Sequence, residues 1–330
     1  MHIKSISLIL LQVIFYFGCN ESSQREQQES IVKSDSLSSL NIKNIVGNYV
    51  DEDYSKRAEG YDWVAVTVIE ISPTVAYIRV QSRSDKKKPT CTFEGKGILK
   101  NNSILEIDFE GKIILLSFED NSVNFSTKDE ADQDFLMYFC SGGGSLAGTY
   151  KKINEPLDDT QLRPSGYNQS LSLQGITFDI HASQQGSMNI LIIQTSGLEI
   201  DNRPQLHEID GNVNNAEIED LNSDGSPEVL VYITSAGSGS YGSVIGYSVN
   251  NKKSMSQIYF PPITENPEIS KGYMGHDEFA IIETTFAQRF PVYKEGDSNS
   301  DPTGGMRQVQ YKLVDGEAGR IFKVDKVVEF

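Results

Sequence analysis

From about Ile45 to Ile153 the apolar and polar positions alternate with period two, in short runs separated by turn signals. The clearest runs are Trp63–Ile71, Val75–Val80, Cys91–Gly95, Ser103–Ile107, Lys112–Phe118 and Ser122–Phe125. Period-two alternation sends successive side chains to opposite faces, so each run predicts a strand. Roughly eight strands at this spacing predict a small antiparallel barrel, lipocalin-like, with a sandwich as the alternative. Gly47-Asn48-Tyr49 near the start and Gly148-Thr149-Tyr150 at the end echo each other, as they would in a barrel whose first and last strands pair. Residues 154–170, with Pro156 and Pro164 among polar neighbours, read as a linker.

A second β-rich domain is expected over 171–330, in the form of a β-sandwich. Asn189–Gln194 is nearly continuous apolar, as in a strand covered on both sides. In Glu228–Thr234, Val229, Val231 and Ile233 fall on one face while Leu230, Tyr232 and Thr234 fall on the other. A further strand follows at Ser243–Val249. Between the two lies Ser235-Ala236-Gly237-Ser238-Gly239-Ser240-Tyr241-Gly242. A tight hairpin needs only about two to five loop residues, so this connection is longer than the turn requires. Glycine keeps such a loop thin, and Ser and Tyr hydroxyls both donate and accept hydrogen bonds, so the composition suits contact with something. Downstream, Asn250-Asn251 reads as a turn and Ser256–Phe260 as a strand stopped by Pro261-Pro262. Residues 295–305 form a polar loop, and Arg320–Val324 is the last strand.

The amino terminus has a different character. Lys4 precedes an apolar run from Ile6 to Phe17 that is too short to span a bilayer and suits a secretory signal over residues 1–19. Gly18-Cys19 resembles the end of a bacterial lipobox, which makes Cys19 the candidate lipidation site; a plain cleaved signal is the alternative. A lipid there would attach the chain to a membrane of the bacterial cell envelope, periplasmic or outer. Residues 20–43 are rich in Ser, Gln and Glu and read as a disordered tether. Beyond Cys19 only Cys91 and Cys140 remain, and an even count in an exported chain predicts one disulfide, with two buried free thiols as the alternative.

The net charge of -17 makes a poor nucleic-acid binder, because phosphate neutralisation needs a basic face. It suits a basic partner, whose approach the opposite field accelerates. A homodimer is compatible with the chain.

Chemistry-bearing motifs are few. Asp220-Leu221-Asn222-Ser223-Asp224-Gly225 sets hard oxygens at alternate positions before a turn glycine, as in the front half of a calcium loop. Glu228 stands at the ninth position and not the twelfth, so Asp220, Asn222, Asp224 and Glu228 form a calcium candidate outside the EF-hand pattern. An Asx turn held by its own side chains is the alternative. Ser238 lacks the flanking glycines of a nucleophile elbow, since Ala236 and Ser240 stand in their places. His181, His207 and His276 share no metal-ligand spacing, and His276-Asp277-Glu278, read as a strand, would point alternate ways. These observations predict no enzyme and no required cofactor.

The ordered set of Asp220–Gly225, Ser235–Gly242, Gly272-Tyr273, Gly275–Phe279, Arg289–Tyr293 and Gln310–Leu313 resembles the bacterial periplasmic inhibitors of invertebrate-type lysozyme. The resemblance spans about residues 171–330. It implies an all-β domain whose Ser-Gly-x-Tyr loop, here Ser238-Gly239-Ser240-Tyr241, enters the lysozyme cleft and hydrogen-bonds its catalytic carboxylates. Ser238 and Tyr241 are then the inhibitory residues, with Gly239 between them. The alternative is a non-enzymatic envelope lipoprotein that binds glycan or another protein.

Overall fold

Each alternating run forms a strand because its apolar half has a surface to bury against. The computed structural model describes residues 41–162, 166–183 and 186–330. The signal segment, Cys19 and the tether up to residue 40 lie outside the described residues. The last positions read as tether are ordered: Ile42 is fully buried and its amide donates to Pro73 O at 3.1 Å.

Strands β1 (Gly47–Val50), β2 (Val64–Ser72), β3 (Val75–Ser82), β4 (Phe93–Asn101), β5 (Ile104–Phe109), β6 (Lys112–Glu119), β7 (Ser122–Thr127) and β8 (Gly148–Ile153) close into an antiparallel barrel. Closure is made by β1 against β8, with Asn48 opposite Ile153 and Val50 opposite Lys151. The repeated Gly-x-Tyr serves both closing strands alike. Tyr49 OH donates to Ile45 O at 2.8 Å, and Tyr150 OH donates to Leu146 O at 3.0 Å, each reaching back four residues. Cys91 and Cys140 form a disulfide across a sequence separation of 49, tying the approach to β4 to the segment before β8. By the chain-entropy account such a loop contributes about 3–4 kcal/mol.

The stretch read as a linker lies against the barrel. Leu157 and Leu162 pack on the cluster of Val50, Tyr54, Trp63 and Ala65, and Trp63 Nε1 donates to Gln161 Oε1 at 2.9 Å. The next strand starts at Tyr167, inside that stretch.

Among the described residues twelve further strands form three four-stranded antiparallel meanders. The first holds β9 (Tyr167–Leu173), β10 (Ile176–Ala182), β11 (Met188–Ser196) and β12 (Gln205–Asp210). The second holds β13 (Asn212–Glu219), β14 (Glu228–Thr234), β15 (Gly242–Asn250) and β16 (Ser254–Ile258), and the third holds β17 (Glu278–Ile282), β18 (Thr285–Pro291), β19 (Met306–Asp315) and β20 (Arg320–Glu329). The expected sandwich therefore has a third layer, with the middle sheet covered on both faces. Strand β14 shows why. Val229, Val231 and Ile233 join Phe178, Leu191 and Ile193 of the first sheet, while Leu230 and Tyr232 join Phe286, Tyr311 and Phe322 of the third. The alternation visible in the sequence thus feeds two separate cores. Burying each such side chain contributes about 1.5–3 kcal/mol, so β14 is an anchored platform for the loop at its end.

Candidate functional site

Strand β14 begins at the Asp-rich turn. Asp220 Oδ1 accepts from Asp224 N at 3.0 Å, and its Oδ2 accepts from Gly225 N and Gln174 Nε2, both at 2.9 Å. Asp224 Oδ1 accepts from Ser226 N at 2.9 Å, while its Oδ2 meets Asn222 Nδ2 and the Arg320 guanidinium. Glu228 faces inward, its two oxygens taking Leu221 N at 2.8 Å and the Ser248 hydroxyl at 2.6 Å. So arranged, the four residues spend side-chain oxygens on N–H and O–H donors of the turn and its neighbours, the pattern of an Asx turn. Among the described residues no group of three or more His, Cys, Asp or Glu side chains is placed to hold a metal.

Strand β14 ends at Thr234, and β15 starts at Gly242. The connection is closed at its root, where Ser235 N donates to Tyr241 O at 2.9 Å and Tyr241 N donates to Ser235 Oγ at 3.0 Å. A tighter turn forms the tip: Ser240 N donates to Gly237 O at 3.0 Å, with Ser240 in the left-handed region at φ 44°.

The loop is also braced from outside. His276 N lies 3.0 Å from Gly239 O and 3.1 Å from Ser240 O, and donates to both. Asn299 Nδ2 donates to Ser238 O at 2.9 Å, and its own Oδ1 lies 3.2 Å from His276 Nε2. Asp277 Oδ2 accepts from Gly242 N at 2.7 Å. The close approach depends on Gly275, whose φ is 88° and where a Cβ would sit 2.1 Å from Gly239 O. The polar loop of residues 295–305 thus supplies a brace, Asn299, which nothing in its composition announces.

Bracing engages the loop's backbone and leaves the Ser238 and Tyr241 hydroxyls free. Ser238 is exposed, Tyr241 is 49% exposed, and among the described residues neither hydroxyl has a hydrogen-bond partner. The Tyr241 ring rests edge-to-face on Tyr273, with centroids 5.8 Å apart. Tyr273 OH donates to Asp277 Oδ2 at 2.6 Å, and the phenol is held well above its usual range by burial and by that carboxylate. Burial pushes the Asp277 carboxyl up as well, against the pull of Tyr273, Gln288 and the Gly242 amide.

His276 and Asp277 precede β17, and their side chains diverge: His276 turns to Asn299 while Asp277 turns to Tyr273. Glu278 points to solvent beside Arg289. Among the described residues the other two histidines are elsewhere. His207 Nε2 lies 2.8 Å from Tyr247 OH, its pKa lowered by burial, and His181 lies between Asn168 and Glu94 where the barrel meets the first sheet.

A thin loop with a fixed backbone and unengaged hydroxyls, carried on a doubly covered strand, has the geometry of a recognition surface. Residues 184–262 match the family described as periplasmic lysozyme inhibitor of I-type lysozyme. The matched segment is less than a quarter of the chain and contains the Asp-rich turn, β14, the loop and β15. It stops short of Tyr273, His276, Asp277 and Asn299, so the braces lie outside it. Curated proteins gave no match to the chain.

Proposed function

We propose that this protein is a cell-envelope inhibitor of lysozyme, acting on the invertebrate type, and that Ser238 and Tyr241 are the groups it inserts into the enzyme's cleft. The observation that carries the reading is that the inhibitor-like segment holds a braced loop whose Ser238 and Tyr241 side chains are exposed. A lysozyme cleaves glycan with one carboxylic acid and one carboxylate facing each other across a groove. A hydroxyl can donate to the carboxylate and accept from the protonated acid, so Ser and Tyr match both partners where a donor-only cation would not. The loop offers no glycosidic bond, so it blocks the groove without being turned over. An acidic protein also draws in a basic enzyme and raises the association rate.

A hydrogen bond to a charged group contributes about 1.5–3 kcal/mol, which is roughly a 10- to 150-fold change in affinity. Ser238→Ala and Tyr241→Phe are each expected to weaken inhibition by that factor and to leave the melting temperature unchanged. The assay is lysis of a peptidoglycan suspension by invertebrate-, chicken- and goose-type lysozymes, with and without the purified protein. Full inhibition by the double variant would overturn the insertion mechanism. Affinity for polysaccharide alone, with no effect on any lysozyme, would replace the reading with glycan binding.

A further inference from the structure

Asp277 is the point at which three elements meet behind the loop. Its Oδ2 takes the Gly242 amide at 2.7 Å and the Tyr273 hydroxyl at 2.6 Å, and its Oδ1 takes Gln288 Nε2 at 2.7 Å. Gln288 is buried in the third sheet, and its Oε1 accepts from the buried Tyr311 hydroxyl at 2.8 Å. No Lys, Arg or His among the described residues pairs with this carboxylate, so neutral donors alone hold it. Two of those donors lead to the loop. Gly242 is its carboxyl-terminal root, and Tyr273 carries the ring on which Tyr241 rests.

We propose that Asp277 is the positioning residue of the inhibitory loop: it fixes the Gly242 root and the Tyr273 ring, and through them sets the direction of Tyr241 before the enzyme arrives. The inference rests on the lysozyme-inhibitor reading for its consequence and on the free protein for its geometry. A loop ordered in advance loses less freedom on binding, so removing the carboxylate costs affinity although Asp277 touches no enzyme atom. Asparagine can stand in for it. The Asn oxygen can accept from Gly242 and Tyr273, and its amide can donate to a Gln288 turned end for end. The Gln288 amide then faces the Tyr311 oxygen, which can accept.

The experiment has two arms. In the free full-length protein, amide exchange at Gly242 is measured for wild type, Asp277→Ala, Asp277→Asn and Tyr273→Phe. In the complex, each variant's dissociation constant for an invertebrate-type lysozyme is measured with and without Tyr241→Ala. Asp277→Ala is expected to speed Gly242 exchange and to weaken binding by at least about tenfold. Asp277→Asn should recover most of both, and the binding loss should shrink once Tyr241 is absent. Tyr273→Phe, which keeps the ring, should show a smaller loss coupled in the same way, and it carries the test if Asp277→Ala does not fold. Unchanged exchange at Gly242, or a binding loss of the same size with and without Tyr241, would overturn the positioning role. If wild type binds no lysozyme while Asp277→Ala still releases Gly242, the inhibitor reading falls and the positioning of the loop stands.

Discussion

Glu228 gives the sharpest test of how the loop's platform is built. It opens β14, is 0% exposed, and among the described residues pairs with no cation: Arg320 donates to Ser248 and pairs with Asp224 instead. Burial pushes its carboxyl up from 4.5 to about 7, a rise that Asp224 assists and that Ser248, the Leu221 amide and Arg320 oppose. The folded protein therefore holds this proton more tightly than the unfolded chain does. Stability owed to Glu228 is fully present below the unfolded value and is lost as the pH rises through about 7. One pKa unit corresponds to about 1.4 kcal/mol, so the loss is on the order of 3 kcal/mol between the two values.

Glu228→Gln mimics the protonated acid. Its oxygen can accept from Leu221 N and its amide can donate to Ser248 Oγ, whose own proton must then turn from Glu228 to another acceptor. The variant should match wild type near pH 4.5 and exceed it by on the order of 3 kcal/mol near pH 8, with lysozyme inhibition unchanged. The measurement is denaturant unfolding across that range, followed by far-ultraviolet circular dichroism. The fluorescence of Trp63, the single tryptophan, would report on the barrel and not on β14. Asp51, raised to about 6 by burial, contributes a slope of the same sign to both proteins, so the difference between the profiles is the quantity to read. Parallel profiles, or a glutamine variant less stable near pH 8, would show that Glu228 is comfortably ionised in the fold and would refute the reasoning.

Gly275→Ala should act at the junction between the loop and its brace. The left-handed backbone alone costs an alanine about 1–2 kcal/mol. The new Cβ would lie 2.1 Å from Gly239 O, so the loop itself must move. Inhibition should fall by at least about tenfold, and an unaltered inhibition constant would count against the bracing. Calcium should leave the melting temperature where it is, since the Asp220–Glu228 oxygens are already engaged. A site filled at a hundred times its dissociation constant would add about 2.7 kcal/mol, an effect that calorimetry with calcium and with a chelator would reveal.

What the sequence made legible follows from which atoms do the holding. Strands are written in side chains, so the alternation of Val229, Val231 and Ile233 against Leu230 and Tyr232 located β14, and the paired Gly-x-Tyr units located the closing strands of the barrel. The same alternation does not say whether the second face meets solvent or another sheet, so the third layer was not readable from it. The loop was conspicuous for its length and its hydroxyls. Its braces were not, because the loop is gripped by backbone atoms, the Ser238, Gly239 and Ser240 carbonyls and the Gly242 amide, and one brace, the His276 amide, is itself backbone. Backbone atoms are the same in every residue and leave no composition to read. Reading His276-Asp277-Glu278 as a strand reached the right divergence of side chains for the wrong local reason, since His276 sits at φ 58° before β17 begins.

The Asp-rich turn shows a different limit. D-x-N-x-D-G places oxygens where either an ion or a run of backbone amides can take them, and the residue types are identical in the two cases. What separates them is the direction of Glu228, which depends on whether the twelfth-position geometry of a calcium loop or the start of a buried strand follows. Here Val229–Ile233 follows at once, drawing Glu228 into the core with Ser248 and Leu221. The strand that presents the loop thus starts from a turn held by its own Asx side chains and anchored by Arg320 to the third sheet. Turn, strand and loop then form one continuous support, and a change at Glu228 should alter stability without altering the surface offered by Ser238 and Tyr241.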